Sequence, residues 1–419
     1  MSSKPILIAG AGPAGLSLAC ALADAGWHSI VLDPLDADTL AAPPDDGREI
    51  ALTHRSMDLM QQLGLWQDLA PQEIAPLRSA RVVDGGGPAS LSFRPETDVS
   101  SDAAPTQLGA LVSNHAIRRA AWQGAQRRAQ VQLRPGCRVE RLQLRPQAAS
   151  LTLSSGETLD SPLLVAADGR FSALRRQAGI ATRMLDFGRS VLCCRVEHEQ
   201  PHEGEALECF HHGHTMAWLP LHEPHTSSLV LTLAADQAQR LLAMDDAALL
   251  DWVDQHAQGR RGRLLGLGPR HHYPLVATYA QRFASTRLAL LGDAAVGMHP
   301  VTAHGFNFGL YGAQALCRQL QGAADPGAAA LLQAFDQAHR RQTQFIYHGT
   351  NALVKLFTEE RGPAPMLRQG LLRLAQQLPP LRRAITAQLT GRDVARSAGP
   401  LDRLGPLGRL LASGPFSAR

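Results

Sequence analysis

The sequence predicts an α/β protein: a parallel sheet covered by helices, interrupted by a mostly antiparallel β insertion and followed by a C-terminal helical region. Three observations predict it. The chain opens on a strand, a glycine turn, a helix and a second strand; two later apolar runs each end on an Asp-Gly or Gly-Asp pair; and short alternating runs lie between those two. A length of 419 residues sets an expectation of about two domains.

Residues 6–9 (ILIA) form the first apolar run and end in Gly10-Ala11-Gly12-Pro13-Ala14-Gly15. A helical stretch over 16–25 and a second apolar run, 29–32, follow, ending at Asp33. Residues 40–49 read as a polar loop, and 56–66 as a helix offering Met57, Met60, Leu63 and Leu65 to a core. Alternation over 77–94 and again over 131–159 predicts antiparallel strands. The buried-type runs at 163–167 and 288–291 end at Asp168-Gly169 and Gly292-Asp293, where α/β sheets place their ligands. From Gly309 onward the pattern is helical.

Composition narrows the class. With 45% hydrophobic and 19% charged residues, and glycine and proline scattered rather than periodic, collagen, coiled coil and wholesale disorder are excluded. The six cysteines show neither CxxC pairing nor zinc spacing, so a reducing compartment is expected and no metal site is. No export signal or bilayer-length apolar run is visible, which predicts a cytoplasmic protein. Charge is uneven: residues 341–419 hold 12 Lys/Arg against 4 Asp/Glu.

Each glycine of Gly10-x-Gly12-x-x-Gly15 has a mechanical role: the tight turn, the approach of a pyrophosphate to the backbone, and close packing of helix on strand. Asp33 lies 18 residues beyond Gly15, where an acid accepts from a ribose hydroxyl. Dinucleotide binding in a Rossmann-like domain is the expectation.

The later segments bear on which dinucleotide. Leu291-Gly292-Asp293-Ala294-Ala295, then His299-Pro300 and Gly305-Phe306-Asn307-Phe308-Gly309, resembles the second flavin-contacting motif of group A flavoprotein monooxygenases. Residues 165–175, with Asp168-Gly169-Arg170, are similar to that family's Asp-Gly motif. Residues 48–52 (REIAL), 63–66 (LGLW), 112–114 (VSN), 273–275 (YPL) and 347–353 (YHGTNAL) resemble its ubiquinone-biosynthesis hydroxylase branch. Val296, Thr302-Ala303-His304 and Gly312 depart from the usual residues, marking a divergent sub-branch similar to demethoxyubiquinol hydroxylases.

The resemblance implies an FAD-binding domain over 1–76, 105–180 and 276–330, a substrate domain over 77–104 and 181–275, and a helical region and tail over 331–419. It implies that NAD(P)H, binding transiently, or else another protein reduces FAD, that O2 adds at flavin C4a, and that the resulting hydroperoxide oxygenates a polyprenylated phenol or quinol. The residues implied to contact the cofactor are Gly10, Gly12, Ala14, Gly15, Asp33, Arg48, Asp168, Gly292, Asp293, Pro300, Gly305, Phe306 and Asn307. Asp293 would accept from the ribityl hydroxyls, and the N–H groups after Pro300 would face the pyrimidine edge. Arg48 either pairs with the pyrophosphate, shields the ring, or is a surface arginine. Asp168 either orders the pyrophosphate turn or the nicotinamide, or is an ordinary turn residue. His299, Pro300 and His304 are the candidates beside the reacting ring, the two histidines either tuning the site or simply packed.

Other constellations carry less. The histidines at 211, 212 and 214 read as an exposed turn, and Cys193-Cys194 as strand neighbours on opposite faces. A leucine stripe at 367, 371, 374, 378 and 381 with interspersed arginines either packs on the flavin domain or contacts a membrane surface or a quinone-biosynthesis complex, placing the protein on the inner face of the cytoplasmic membrane. Nucleic acid is disfavoured because that region lacks an aromatic platform. Two alternatives stand beside the ubiquinone hydroxylase: a flavin hydroxylase of a soluble aromatic metabolite, and a non-catalytic FAD-binding assembly protein.

Overall fold

The computed structural model describes residues 4–84, 90–95, 107–211, 213–299 and 305–358. Five strands, Ile6–Ala9, Ser29–Leu32, Val131–Arg134, Leu164–Ala166 and Leu288–Leu290, run parallel in one sheet, and the short Ala284–Ser285 closes an edge antiparallel. Every residue of Ile6–Ala9 and Leu164–Ala166 is buried, as a parallel sheet covered on both faces requires. The glycine-turn helix, Pro13–Asp24, packs against the later helix Gly305–Leu320. That second helix begins four residues before the helical pattern predicts.

Alternation over 131–159 predicts antiparallel strands throughout, and this is corrected at its first member. Val139–Leu144, Ala149–Leu153 and Thr158–Ser161 form an antiparallel sheet, but Val131–Arg134 joins the parallel one beside Ser29–Leu32. The cause is the preceding helix, Asn114–Gln126, whose buried face of Ala116, Ile117, Ala120 and Ala121 returns the chain in the parallel sense.

The second body is a nine-stranded sheet. From one edge it runs Val296–Gly297, His271–Ala280, Thr182–His198, Thr226–Ala234, His214–Pro220, Glu205–His211, Ser79–Asp84 and Ser90–Phe93, with Leu264–Leu267 paired to the end of Thr182–His198. All contacts are antiparallel except that between Glu205–His211 and Ser79–Asp84. Strand His271–Ala280 crosses the expected boundary at 275–276. Helices Ala235–Ala243 and Asp246–Ala257 cover one face, where Leu207, Cys209, Trp218, Leu231 and Cys194 meet Leu241, Leu249 and Val253. Cys193 turns to the other face, as strand alternation predicts.

The expected exposed histidine turn is corrected too. His211 and His214 end the strands of a hairpin, yet His214 is buried, its ring 5.1 Å from His256 and 5.5 Å from Trp252 of the covering helix. His212 and the leucine stripe at 367–381 lie outside the described residues.

Candidate active site

The first parallel strand ends at Gly10, whose φ of +112° and closeness to the chain both demand glycine: a Cβ there would lie 2.3 Å from the Ala167 carbonyl oxygen. A Cβ on Gly15 would lie 2.0 Å from the Gly10 carbonyl oxygen. At Gly12 a Cβ would meet nothing within 4 Å. The protein therefore uses the outer two glycines for its own packing and leaves space over the middle one. Gly12 caps the Pro13–Asp24 helix without a side-chain hydrogen bond, and no acid stands in its first turn, so the helix presents uncapped N–H groups to an anion. Residues and space both fit a pyrophosphate.

Asp33 is buried at the end of its strand, accepting from the Ala11 N–H at 2.7 Å and the Leu35 N–H at 2.9 Å. It braces the glycine loop while lining the same cavity. Ala14 lines that cavity too, and its Cβ fills the space that glycine leaves at 292 and 309.

Asp168 is turned into its own loop: its carboxylate accepts from the Ser172 hydroxyl and the Leu174 N–H, ordering the turn that starts helix Ala173–Gln177. Asp293 sits in the tight turn Gly292–Ala294, its Oδ2 accepting from Arg170 Nε at 3.2 Å and a terminal nitrogen at 2.9 Å. Arg170 also donates to the carbonyls of Val276 at 2.6 Å and Met298 at 3.3 Å. It thus fastens the Gly292–Ala294 turn to the nine-stranded sheet, a role the sequence motif did not disclose. Arg170→Met should cost about 1–3 kcal/mol of stability by withdrawing donors from these acceptors, and should weaken flavin retention. Urea melts and flavin content after gel filtration check it; no change in either would refute the role.

Arg48 lines the cavity but is held by the Asp46 carboxylate through Nε at 2.9 Å and a terminal nitrogen, its guanidinium 5.4 Å from the Tyr273 ring centroid. The Tyr273 hydroxyl donates to the Asp46 carbonyl, and the Asn114 amide to its carboxylate at 2.7 Å. The Asn307 amide donates to the Ala51 carbonyl at 2.9 Å and accepts from the Thr53 N–H at 3.3 Å. Its buried side chain fixes strand Glu49–Leu52 against helix Gly305–Leu320. Gly305 and Phe306 line the cavity.

His299 is buried, edge-on to Phe187 at 5.0 Å, and burial together with nearby Arg170 lowers its pKa to about 3. It is a neutral imidazole at physiological pH. Pro300 and His304 lie outside the described residues. The unusual Gly312 has a packing cause: a Cβ there would lie 2.8 Å from the ring of His339, on helix Ala329–Thr358.

The glycine loop, Asp33, Arg48, Arg170, Asp293 and His299 line one cavity of about 900 Å³, which extends to the face of the nine-stranded sheet that the two helices leave uncovered. Its size is at the upper end of the ~300–1,000 Å³ range for ligand sites. Glu208, Thr215, Ala217 and Val230 form its far wall. Alternation alone assigns Glu208 to the polar, solvent side of its strand, so only the enclosure of that side reveals it as a site residue.

The proteins this chain is similar to agree with that geometry. The FAD binding domain family matches residues 3–347. A ubiquinone hydroxylase, UbiM, from Neisseria meningitidis is 42% identical over 390 residues, covering 92% of this chain and 84% of the relative. Ubiquinone hydroxylase UbiL from Rhodospirillum rubrum is 35% identical over 390 residues, covering 92% and 89%. The p-nitrophenol 4-monooxygenase PnpA of Pseudomonas putida DLL-E4 superposes with a TM-score of 0.71 at 17% identity, covering 94% of this chain and 99% of that one, a likeness of fold. The fold and these matches define an FAD-dependent hydroxylase. Within that class, the chain belongs to the ubiquinone hydroxylase family.

Proposed function

We propose that this protein hydroxylates the aromatic ring of a polyprenylated ubiquinone precursor, with FAD as cofactor, NAD(P)H as transient reductant and O2 as the oxygen source. The observation that carries the reading is the single cavity joining an uncapped glycine-loop helix to a largely apolar sheet wall. The bound flavin supplies the redox chemistry and the activated oxygen. The Gly12 backbone and the helix N–H groups would hold the pyrophosphate, and Asp33 would receive the ribose. Asp293, held by Arg170, would receive the ribityl hydroxyls, and the first turn after Gly305 would face the pyrimidine edge. Val191, Ala217 and Val230 would exclude water and seat an apolar substrate.

Among the described residues no helix is long and apolar enough to cross a membrane. The cationic excess over 341–419 supports a peripheral seat on the anionic inner face of the cytoplasmic membrane, shortening the path of a prenylated substrate to the site. Deleting the gene should make an under-hydroxylated prenylated precursor accumulate, and restoring it should clear that lipid. Mass spectrometry of lipid extracts decides, and an unchanged quinone profile rejects the assignment. NAD(P)H consumption with oxygen incorporation by the purified protein rejects the assembly-protein alternative.

A further inference from the structure

We propose that Glu208, aided by Thr215, is the group that binds the ring hydroxyl of the substrate and accepts its proton. The proposal rests on the hydroxylase reading above and adds to it the residue that addresses the substrate rather than the cofactor.

Five carboxylates line the cavity: Asp33, Glu49, Asp168, Glu208 and Asp293. Four have identified work within the protein. Asp33 holds the Ala11 and Leu35 N–H groups, Asp168 holds Ser172 and Leu174, Asp293 pairs with Arg170, and Glu49 lies 3.7 Å from Arg195. Among the described residues no ion pair holds Glu208; the group that acts on it is the neutral Thr215 hydroxyl.

Strand register shows why it points inward. Glu208 stands directly across from Ala217, Ala217 from Val230, and Val230 from Cys193, so these residues share one face of the sheet. The opposite face is sealed by Leu207, Cys209 and the two covering helices. Glu208 is therefore a carboxyl set in an apolar wall, a costly arrangement unless a ligand uses it. Burial pushes its pKa up to about 8, with the Thr215 hydrogen bond acting the other way. That moves it towards the ~10 of a phenol, and proton transfer between groups of closer pKa is the more efficient.

The step is a proton transfer alone, made by the ionised fraction of Glu208, which grows as pH rises towards 8. The substrate O–H bond breaks, the proton passes to a Glu208 oxygen, and the electron pair stays on the ring oxygen, enriching the ortho and para carbons. After the new C–O bond has formed and the ring hydrogen has left as a proton to solvent, Glu208 returns its proton to the ring oxygen.

The test uses the flavin-loaded full chain and two probes that differ only in the hydroxyl, 2-prenylphenol and prenylbenzene. Wild type should bind the phenol at least about tenfold more tightly, because the wall leaves a polar group unpaired against the hydrocarbon. Glu208→Leu should bring that ratio close to one with flavin affinity kept. Glu208→Gln, which can hydrogen-bond but accepts no proton, should keep part of the binding preference and lose about 100-fold in hydroxylation rate. Equal binding ratios in wild type and Glu208→Leu, or wild-type turnover in Glu208→Gln, would overturn the proposal. If wild type binds flavin yet hydroxylates no prenylated phenol, the hydroxylase reading fails. The binding ratio then decides by itself whether Glu208 meets the hydroxyl, and the proton transfer is overturned.

Discussion

Gly15→Ala should yield a protein that neither retains flavin nor folds with normal stability. The added carbon would stand 2.0 Å from the Gly10 carbonyl oxygen and 3.3 Å from the Ala167 Cβ. The first neighbour is backbone at the end of the central strand, so relief requires the glycine helix to lift from the sheet. A loss on the order of 4 kcal/mol is expected, at the severe end for a single substitution. Gly12→Val should do the reverse. Its backbone, at φ −73° and ψ 173°, suits any residue, and the protein leaves room for the side chain. Stability without flavin should stay within about 1 kcal/mol, the scale of a changed helix cap, while flavin affinity falls about 100-fold as the side chain takes the pyrophosphate's space. Urea melts of the flavin-free proteins and flavin titration separate the two. Equal losses of stability would show that Gly12 serves packing, not the cofactor.

His339→Phe should make the protein markedly more resistant to acid. His198, His299 and His339 are all buried, and burial lowers their pKa values to about 4, about 3 and about 4. Unfolding exposes each to water, where it takes up a proton near pH 6.5. The stability each contributes is therefore complete above pH 6.5 and is lost as pH falls towards its folded pKa, on the order of 3 kcal/mol per histidine. Glu49 and Glu208, raised by burial to about 7 and about 8, act in the opposite sense: folded they keep a proton that the unfolded chain has released above about pH 4.5, so they favour folding as pH falls from 8 to 4.5. Below that, nothing from these glutamates offsets the histidines, and wild-type stability should drop steeply. His339 lies between Phe283 and Phe335, at 5.3 and 5.7 Å, a setting that accepts a phenyl ring. The variant's advantage over wild type should grow by about 3 kcal/mol between pH 6.5 and 4. A difference constant across that range would mean that His339 titrates normally.

The order of strand, glycine turn, helix, strand and acid was legible because each sign is local: an apolar run, glycines at fixed spacing, a carboxylate at a strand's end. The same locality explains the errors. Val131–Arg134 alternates like an antiparallel strand, but the helix before it dictates the parallel direction. His214 sits in a turn-like sequence, yet the helix Asp246–Ala257 covers it.

By itself, the sequence determined the nucleotide-binding topology and the positions that only glycine can fill, since backbone geometry and side-chain volume are properties of a residue and its near neighbours. Which polar groups face the cavity was decided by the tertiary structure alone. Arg170 finds its acceptors on segments more than 100 residues away, and Glu208 joins a cavity wall only when its sheet face is set opposite the glycine loop. Desolvation and long-range pairing depend on what surrounds a group in space, and no periodicity along the chain records that.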